Sequence, residues 1–211
     1  MEQFYQLLKE YNINFVAKVV DVPEWFLQYT EDEPPLYWKT VYELLKNEDR
    51  NQSIVEIGAG YGDITALLIF MGFNNVICFE QDENLIPYIH DKVKIIFNKC
   101  ANTINSSYPQ ELNFSPDIII QVNCSYLNHS SNKAEYIKQV KSTYRKNGIP
   151  KMFILEIIDD SYQEFNVNFP NFMRLNKTDI ANLFPKCLFE SFVTYKFPKN
   201  KVSKTIYKIC K

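Results

Sequence analysis

A short apolar segment that runs directly into a turn with three glycines is the feature that most limits how this chain can fold. The segment is residues 53–57, and the turn at residues 58–62 reads GAGYG. Glycine lets the backbone turn sharply and leaves no Cβ in the way of a close neighbour. Residues 63–71 then have a helical composition that Gly72 ends, so the sequence predicts a strand, a tight turn and a helix in succession.

The same alternation of strands and helices continues through the rest of the chain. Apolar segments predict four further strands, at residues 76–79, 93–97, 117–122 and 152–158. Helical patterns are predicted at residues 133–146 and 178–184. Alternating strands and helices are typical of an α/β fold, with a mostly parallel sheet and helices on both faces.

The two ends of the chain differ from this pattern. Residues 188–196 and 204–209 are apolar segments without a helix between them, which indicates an antiparallel pair at one edge of the sheet. Residues 1–49 contain three helical segments and no predicted strand. We therefore expect a helical N-terminal cover of residues 1–49 on a core of residues 50–211, and a chain of 211 residues suits one compact domain.

Ligands in such sheets bind beyond the carboxyl ends of the strands. The glycine turn lies at such an end, and its spacing separates two kinds of cofactor. The dinucleotide pattern GxGxxG would need its third glycine at Asp63, whereas this chain has it at Gly62. Glu56 precedes the turn, and its negative charge would repel a pyrophosphate but suits a cofactor with a cationic amino group.

These residues resemble the first motif of class I S-adenosylmethionine-dependent methyltransferases, which have a Rossmann-like sheet of seven strands. The resemblance implies that Glu56 and the glycines hold the methionine part of S-adenosyl-L-methionine. It also implies that Glu80, after the second predicted strand, accepts hydrogen bonds from both ribose hydroxyls. The cofactor-binding residues predicted in this way are Glu56, Gly58, Ala59, Gly60, Tyr61, Gly62, Glu80, Gln81, Asn98, Asn123 and Cys124.

Asn98 follows the third predicted strand, where the family commonly has an acid or amide that faces the adenine amino group. A polar turn before the next helix is the alternative interpretation of this residue.

The segment after the fourth predicted strand resembles the part of the family that flanks the sulfonium and approaches the acceptor. It includes Tyr126 and His129, and a histidine can accept a proton near neutral pH. We predict His129 as the general base, and a solvated or helix-capping histidine is the alternative. Tyr126 and Glu156, on the fifth predicted strand, complete the candidate catalytic residues.

The composition indicates which classes of partner the chain is expected to bind. The net charge of −2 lacks the basic excess that is typical of proteins that bind nucleic acid. Five cysteines without a CxxC pair predict neither a zinc site nor a disulfide framework, and no metal is expected. No apolar run is long enough to span a membrane and no leader peptide is recognised, so we expect a cytoplasmic protein.

The sequence therefore predicts transfer of a methyl group to an oxygen or nitrogen of a small-molecule acceptor, in a biosynthetic pathway. Aromatic residues make up 15% of the chain, and two clusters of them are candidates to cover the acceptor pocket. They lie within residues 25–38 and 162–173. An RNA or protein methyltransferase and a non-catalytic cofactor-binding subunit are the alternatives, and the oligomeric state stays open.

Overall fold

The computed structural model describes residues 1–19, 22–125, 130–162, 170–196 and 202–211, without the side chains of Trp25 and Val202. The helices are α1 Glu2–Val16, α2 Leu36–Leu45, α3 Asp63–Phe70, α4 Ile86–Phe97, α5 Lys133–Arg145 and α6 Lys177–Leu183, with 3₁₀ helices at Glu24–Thr30 and Asn171–Met173. The strands are β1 Ser53–Ile57, β2 Asn75–Glu80, β3 Thr103–Asn105, β4 Ile118–Gln121, β5 Met152–Asp159, β6 Arg174–Leu175, β7 Leu188–Lys196 and β8 Val202–Cys210.

Seven of these strands form one sheet in the order β3-β2-β1-β4-β5-β8-β7. The first five are parallel, while β8 runs antiparallel to both β5 and β7. The two-residue strand β6 pairs with the end of β5. The predicted α/β sheet with an antiparallel pair at its edge is confirmed. Because the chain moves outward from β1 to β3 and then returns to β4, the sheet reverses its strand order between β1 and β4.

Both faces of this sheet are covered, which explains why its central strands are apolar at nearly every position. All four residues of β4 are buried. Ile118 and Ile120 pack in the cluster that includes α1, α2 and α3, whereas Ile119 packs on the opposite face with α5 and α6. Alternate residues of one strand therefore serve two separate layers of helices.

The prediction of a strand at residues 93–97 is wrong, because these residues form the last part of α4. The buried residues of α4 are Ile89, Lys92 and Val93, which recur at helical spacing, while Ile95 is 70% exposed. A short apolar run does not distinguish a buried strand from one face of a helix. The third strand of the sheet is Thr103–Asn105, which is too short to give a clear pattern.

Because residues 93–97 are helical, Asn98 also lies at a different place from the one that the sequence predicts. It ends α4 in a left-handed conformation and precedes Lys99, which lines a cavity of about 680 Å³ with Ser53 and Asn75. Ser53 and Asn75 are the first residues of β1 and β2, so this cavity lies at the amino edge of the sheet. The prediction that Asn98 follows the carboxyl end of a strand is therefore wrong, and the structure does not bring it to the glycine turn.

The N-terminal cover packs as part of the same core as the sheet. Trp38 of α2 and Phe4 of α1 are wholly buried, in one hydrophobic cluster with Ile54 of β1 and Ile120 of β4. A large buried aromatic side chain contributes several kcal/mol to stability through apolar burial and packing. The cover and the sheet therefore share their apolar surface.

Trp38→Ala tests whether the cover is integral to the fold. We expect the free energy of unfolding to fall by about 3–5 kcal/mol, because the substitution opens a cavity in the shared core. Urea unfolding followed by circular dichroism measures this change. Lys39→Ala, at the exposed next position of α2, is the control and should change stability by less than about 0.5 kcal/mol. Equal effects of the two substitutions would show that the cover is only loosely attached.

Candidate functional site

The glycine turn follows β1 at the carboxyl edge of the sheet, beside the point where the strand order reverses. Gly58, Gly60 and Gly62 have φ values of +67°, +55° and +80°, which glycine adopts without the cost that a Cβ imposes. A Cβ at Gly58 would lie 2.6 Å from the Cβ of Cys124, which is too close for any side chain. At Gly60, by contrast, no heavy atom of the described residues beyond Gly60 and its two chain neighbours lies within 4 Å of the Cβ position. The turn is thus packed at its start and open at its centre.

Hydrogen bonds join this turn to the end of β2. The amides of Gly58 and Ala59 donate to the carbonyl of Phe79 at 2.9 and 3.0 Å. The Gly60 amide donates to Oε2 of Glu80 at 2.7 Å, and the Asp82 amide donates to Oε1 at 2.9 Å. Glu80 is 7% exposed. Each carboxylate oxygen has a further lone pair, so Glu80 can accept additional hydrogen bonds from a ligand beside the turn.

Glu56 lies on β1, below the turn, and its carboxylate is almost completely buried at 3% exposure. The hydroxyl of Thr65 on α3 donates to its Oε2 at 2.5 Å. Burial, together with the nearby negative charges of Asp63 and Glu80, raises the pKa of Glu56 to about 8, although the Thr65 hydrogen bond acts in the opposite direction. A cation bound beside the turn would lower this pKa and favour the ionised carboxylate.

One buried ammonium offsets part of this negative charge. Lys92 of α4 forms an ion pair with Asp63, the first residue of α3, and the lysine side chain is 1% exposed. Its Nζ lies 5.4 Å from the ring centroid of Tyr11 and 5.8 Å from that of Phe26. Burial lowers the pKa of Lys92, while the charge of Asp63 opposes this shift. Three acidic side chains therefore lie around the turn, namely Glu56, Asp63 and Glu80, and the ammonium of Lys92 pairs with one of them.

Of the aromatic residues predicted to cover the pocket, Phe26 reaches the turn. Tyr61 packs against Phe26 of the first 3₁₀ helix with ring centroids 4.6 Å apart, and against Phe15 of α1 at 5.6 Å. Further along the cover, the hydroxyl of Tyr37 donates to the hydroxyl of Tyr29 at 3.1 Å. Residues 163–169 of the second predicted aromatic cover lie outside the described residues.

The end of β3 supplies two polar residues that the sequence analysis missed. The side-chain amide of Asn105 donates to the carbonyl of Glu80 at 3.0 Å, and the Ser107 hydroxyl donates to Oε1 of Gln81 at 3.0 Å. These residues occupy the place that was assigned to Asn98. A signal was present in the polar run at residues 105–107. It went unrecognised because the preceding strand has only three residues.

The residues after β4 come to the same edge of the sheet. The thiol of Cys124 donates to the carbonyl of Ile57 at 2.9 Å, which brings this segment against the start of the glycine turn. The Asn123 amide donates to Oε2 of Glu156 at 2.8 Å, and the Thr194 hydroxyl donates to Oε1 of Glu156 at 2.5 Å. Because Glu156 is 2% exposed and its oxygens accept hydrogen bonds from elements of the sheet edge, the geometry favours a structural role over that of a general base that contacts the acceptor.

The remaining predicted residues divide into two groups. The turn, Glu56, Glu80, Gln81, Asn123, Cys124 and Glu156 are brought together at the carboxyl edge of the sheet. Tyr126 and His129 lie outside the described residues, so their roles stay predictions. Within the described residues there is no group of three or more potential metal ligands, and no helix is long and apolar enough to cross a bilayer.

No known family's sequence model matches this chain, and no curated protein matches it. Solved structures do match. Magnesium protoporphyrin IX methyltransferase from Synechocystis, with bound S-adenosylmethionine, superposes with a TM-score of 0.65 at 10% identity, over 99% of this chain and 97% of that one. N-methyltransferase NodS from Bradyrhizobium japonicum gives 0.65 at 10% identity, over 85% and 98%. The methyltransferase domain of a bacterial Hen1 gives 0.63 at 12% identity, over 83% and 97%.

These similarities establish the fold. The chain has the Rossmann-like fold of class I methyltransferases over essentially its whole length. Identities of 10–12% leave the chemistry to be argued from the residues of this chain.

The raised pKa of Glu56 predicts how stability depends on pH. An unfolded glutamate ionises near pH 4.5, whereas buried Glu56 holds its proton until about pH 8, so the folded state binds more protons between these values. The free energy of unfolding should therefore fall as pH rises from 5 to 8, by up to roughly 4 kcal/mol for this one group. Urea unfolding at each pH measures the effect.

Glu56→Gln should remove this component, and the difference between the wild type and the variant isolates it from other titrating groups. Glu83→Gln, at an exposed position after β2, is the matched control and should leave the pH dependence unchanged. Parallel stability curves for the wild type and Glu56→Gln would contradict the assignment.

Proposed function

We propose that this protein is an S-adenosylmethionine-dependent methyltransferase that moves a methyl group to an oxygen or nitrogen of a small-molecule acceptor. One arrangement carries the proposal. The carboxylates of Glu56 and Glu80, on neighbouring strands, flank a glycine turn with open space at Gly60.

The charges around the turn suit this cofactor. S-adenosylmethionine carries a cationic sulfonium and an ammonium, and the turn is surrounded by Glu56, Asp63 and Glu80 with Lys92 as the paired cation. Glu80 has lone pairs beyond its bonds to the Gly60 and Asp82 amides, and a ribose diol offers two hydroxyl donors. The residues at this turn therefore match the cofactor both in charge and in hydrogen-bonding capacity.

A dinucleotide fits the same turn less well. Its pyrophosphate needs the free amides of a helix N-terminus without nearby negative charge. Here Asp63 is the first residue of α3, and Glu56 and Glu80 lie close to the turn. The charge of Glu80 would repel an anionic ligand, whereas a cation beside the turn would favour ionisation of buried Glu56, so the electrostatics favour a cationic ligand.

The acceptor is proposed from the charge of the chain and from its structural neighbours. Magnesium protoporphyrin IX methyltransferase carries a small molecule in its name, and NodS is described as an N-methyltransferase. With a net charge of −2, this chain lacks an overall attraction for the phosphates of RNA. There are two alternatives. The acceptor is RNA or protein, or the chain is a subunit that binds the cofactor without transferring a methyl group.

The residues of the chain have a limited chemical task. When bound, the sulfonium supplies an electrophilic methyl group. The glycine turn and Glu80 hold and orient the cofactor, the segment after β4 lies beside the turn, and the aromatic cover keeps water from the site. Removal of a proton from the acceptor is assigned to His129, as the sequence predicts.

Ligand-induced stabilisation tests the cofactor. S-adenosylmethionine or S-adenosylhomocysteine at 100 times its dissociation constant should raise the free energy of unfolding by about 2.7 kcal/mol, and NAD should have no effect. Thermal melting measures the shift. A shift with NAD alone would refute the proposal.

Gly60→Leu should abolish the shift, because its side chain would fill the open space at the turn. Gly72→Leu is a closely matched control. Gly72 also has a left-handed φ of +88°, and no described heavy atom beyond Gly72 and its chain neighbours lies within 4 Å of its Cβ position, but it follows the opposite end of α3. Both variants carry similar backbone strain, so retained binding in Gly72→Leu alone assigns the open space at Gly60 to the cofactor.

A screen of candidate acceptors with radiolabelled methyl donor identifies the substrate and then tests His129. If His129 is the base, His129→Ala should lower kcat by about 10²- to 10⁴-fold at neutral pH. His90→Ala is the control, because His90 is the second of the two histidines and its ring contacts Thr103 at 2.8 Å. Near-normal turnover of His129→Ala would remove this residue from the mechanism.

If the protein binds the cofactor but transfers a methyl group to no acceptor in the screen, the result would favour the alternative of a non-catalytic subunit.

A further inference from the structure

Asn123 has an unusual backbone conformation for its position. Of the described residues other than glycine, only Asn98 and Asn123 have a left-handed φ, and that of Asn123 is +56°. Asn98 ends a helix, where such a conformation is common. Asn123 follows the buried strand β4 instead. Left-handed residues that do not end a helix persist where neighbouring groups hold them, often at functional sites.

Two charged side chains hold Asn123 from opposite ends. Its main-chain amide donates to Glu156 at 2.8 Å, and its side-chain oxygen accepts a hydrogen bond from Nζ of Lys204 at 2.5 Å. The hydroxyl of Ser125 donates to the main-chain carbonyl of Glu156. We call Asn123, Glu156, Thr194 and Lys204 the edge network. It joins the end of β4 to β5, β7 and β8.

The edge network contains opposite charges, on a buried glutamate and a half-buried lysine. Glu156 is 2% exposed. Burial lowers the pKa of Lys204, and the negative charge of Glu156 acts against that shift. Charged groups removed from water cost free energy unless polar partners stabilise them, and in the edge network Glu156 and Lys204 both form hydrogen bonds with Asn123. These hydrogen bonds favour one local geometry of the Asn123 backbone.

The conformation of Asn123 affects how the next residue packs on the glycine turn. Cys124 follows Asn123 directly, and a Cβ built at Gly58 would lie 2.6 Å from the Cβ of Cys124. The Cys124 thiol also donates to the carbonyl of Ile57. A small rotation of the Asn123 backbone would move Cys124 against or away from the turn, so the edge network controls how closely these two segments approach.

We propose that Lys204 and Glu156 are positioning residues that fix residues 123–125 against the glycine turn and thereby align the methyl acceptor with the cofactor. This inference rests on the proposed methyltransferase function. It assigns to the C-terminal strand pair a role in the chemical step that the sequence patterns did not suggest. Glu156 acts through Asn123 in this arrangement and is not the general base.

Steady-state kinetics with the identified acceptor provide the test. Lys204→Met should lower kcat by about 10- to 100-fold, since misplacement by about 1 Å costs that much. The dissociation constant of S-adenosylhomocysteine, measured by calorimetry, should change less than about twofold, because the turn and Glu80 remain. Lys204→Arg keeps the donor and should recover much of the lost kcat.

Lys208→Met is the matched control. Lys208 lies on the same strand four residues later, and its ammonium pairs with Glu190 at 3.6 Å. It pairs in register with Ile154, whereas Lys204 pairs with Ile158 nearer the carboxyl edge. Lys208→Met should leave kcat unchanged. Equal losses in the two methionine variants, or unchanged kcat in Lys204→Met, would overturn the proposal.

Asn123→Gly separates positioning from a general loss of stability. Glycine adopts φ +56° without cost and keeps the amide bonded to Glu156, but it removes the oxygen that accepts from Lys204. If both residues act through this hydrogen bond, the double variant with Lys204→Met should lose no more kcat than the worse single variant. Multiplicative losses would show independent roles and refute the edge network as the cause.

Amide hydrogen exchange distinguishes failure of this inference from failure of the proposed function. In Lys204→Met, the amides of Asn123 and Cys124 should exchange at least about tenfold faster, while the Gly60 amide should be unaffected. This measurement needs neither cofactor nor acceptor. Unchanged exchange at Asn123 would overturn the positioning role. Absence of S-adenosylhomocysteine binding in the wild type would instead overturn the proposed function, and with it the alignment of the acceptor, while faster exchange at Asn123 would still show that Lys204 positions this segment.

Discussion

The hydrogen bond from the Gly60 amide to the Glu80 carboxylate joins the end of β1 to the end of β2, and the arrangement of the site depends on it. It fixes a turn that three left-handed glycines allow, and it holds a buried carboxylate at the edge of the turn. The parallel pairing of β1 with β2 brings these two groups together, because the ends of neighbouring parallel strands meet at one edge of a sheet.

Buried acidic side chains beside this turn are the second property that shapes the site. Glu56 is buried with a pKa raised to about 8, and Lys92 neutralises Asp63 within a partly aromatic environment. Burial of several carboxylates costs free energy in the absence of a cation. A fold that retains them near an open glycine turn is well suited to a cationic ligand, and this ties the electrostatics to the proposed cofactor.

The elements outside the alternating core complete the site from two directions. The N-terminal cover brings Phe26 against Tyr61 of the turn, and its other side chains share the core of the sheet. The antiparallel pair β7 and β8 brings Thr194 and Lys204 to Glu156 and Asn123. In the proposed enzyme, the cover encloses the cofactor side while the C-terminal strands set the geometry on the acceptor side.

The sequence by itself determined the strand, turn and helix around Gly58, Gly60 and Gly62, and the acids Glu56 and Glu80, because local spacing fixes these features. It misplaced the third strand and Asn98, since a short apolar run fits one face of a helix as well as a strand. Only the tertiary structure brought Lys204 to Asn123, 81 positions away in the chain. Such contacts depend on the order and register of strands, which no local pattern encodes.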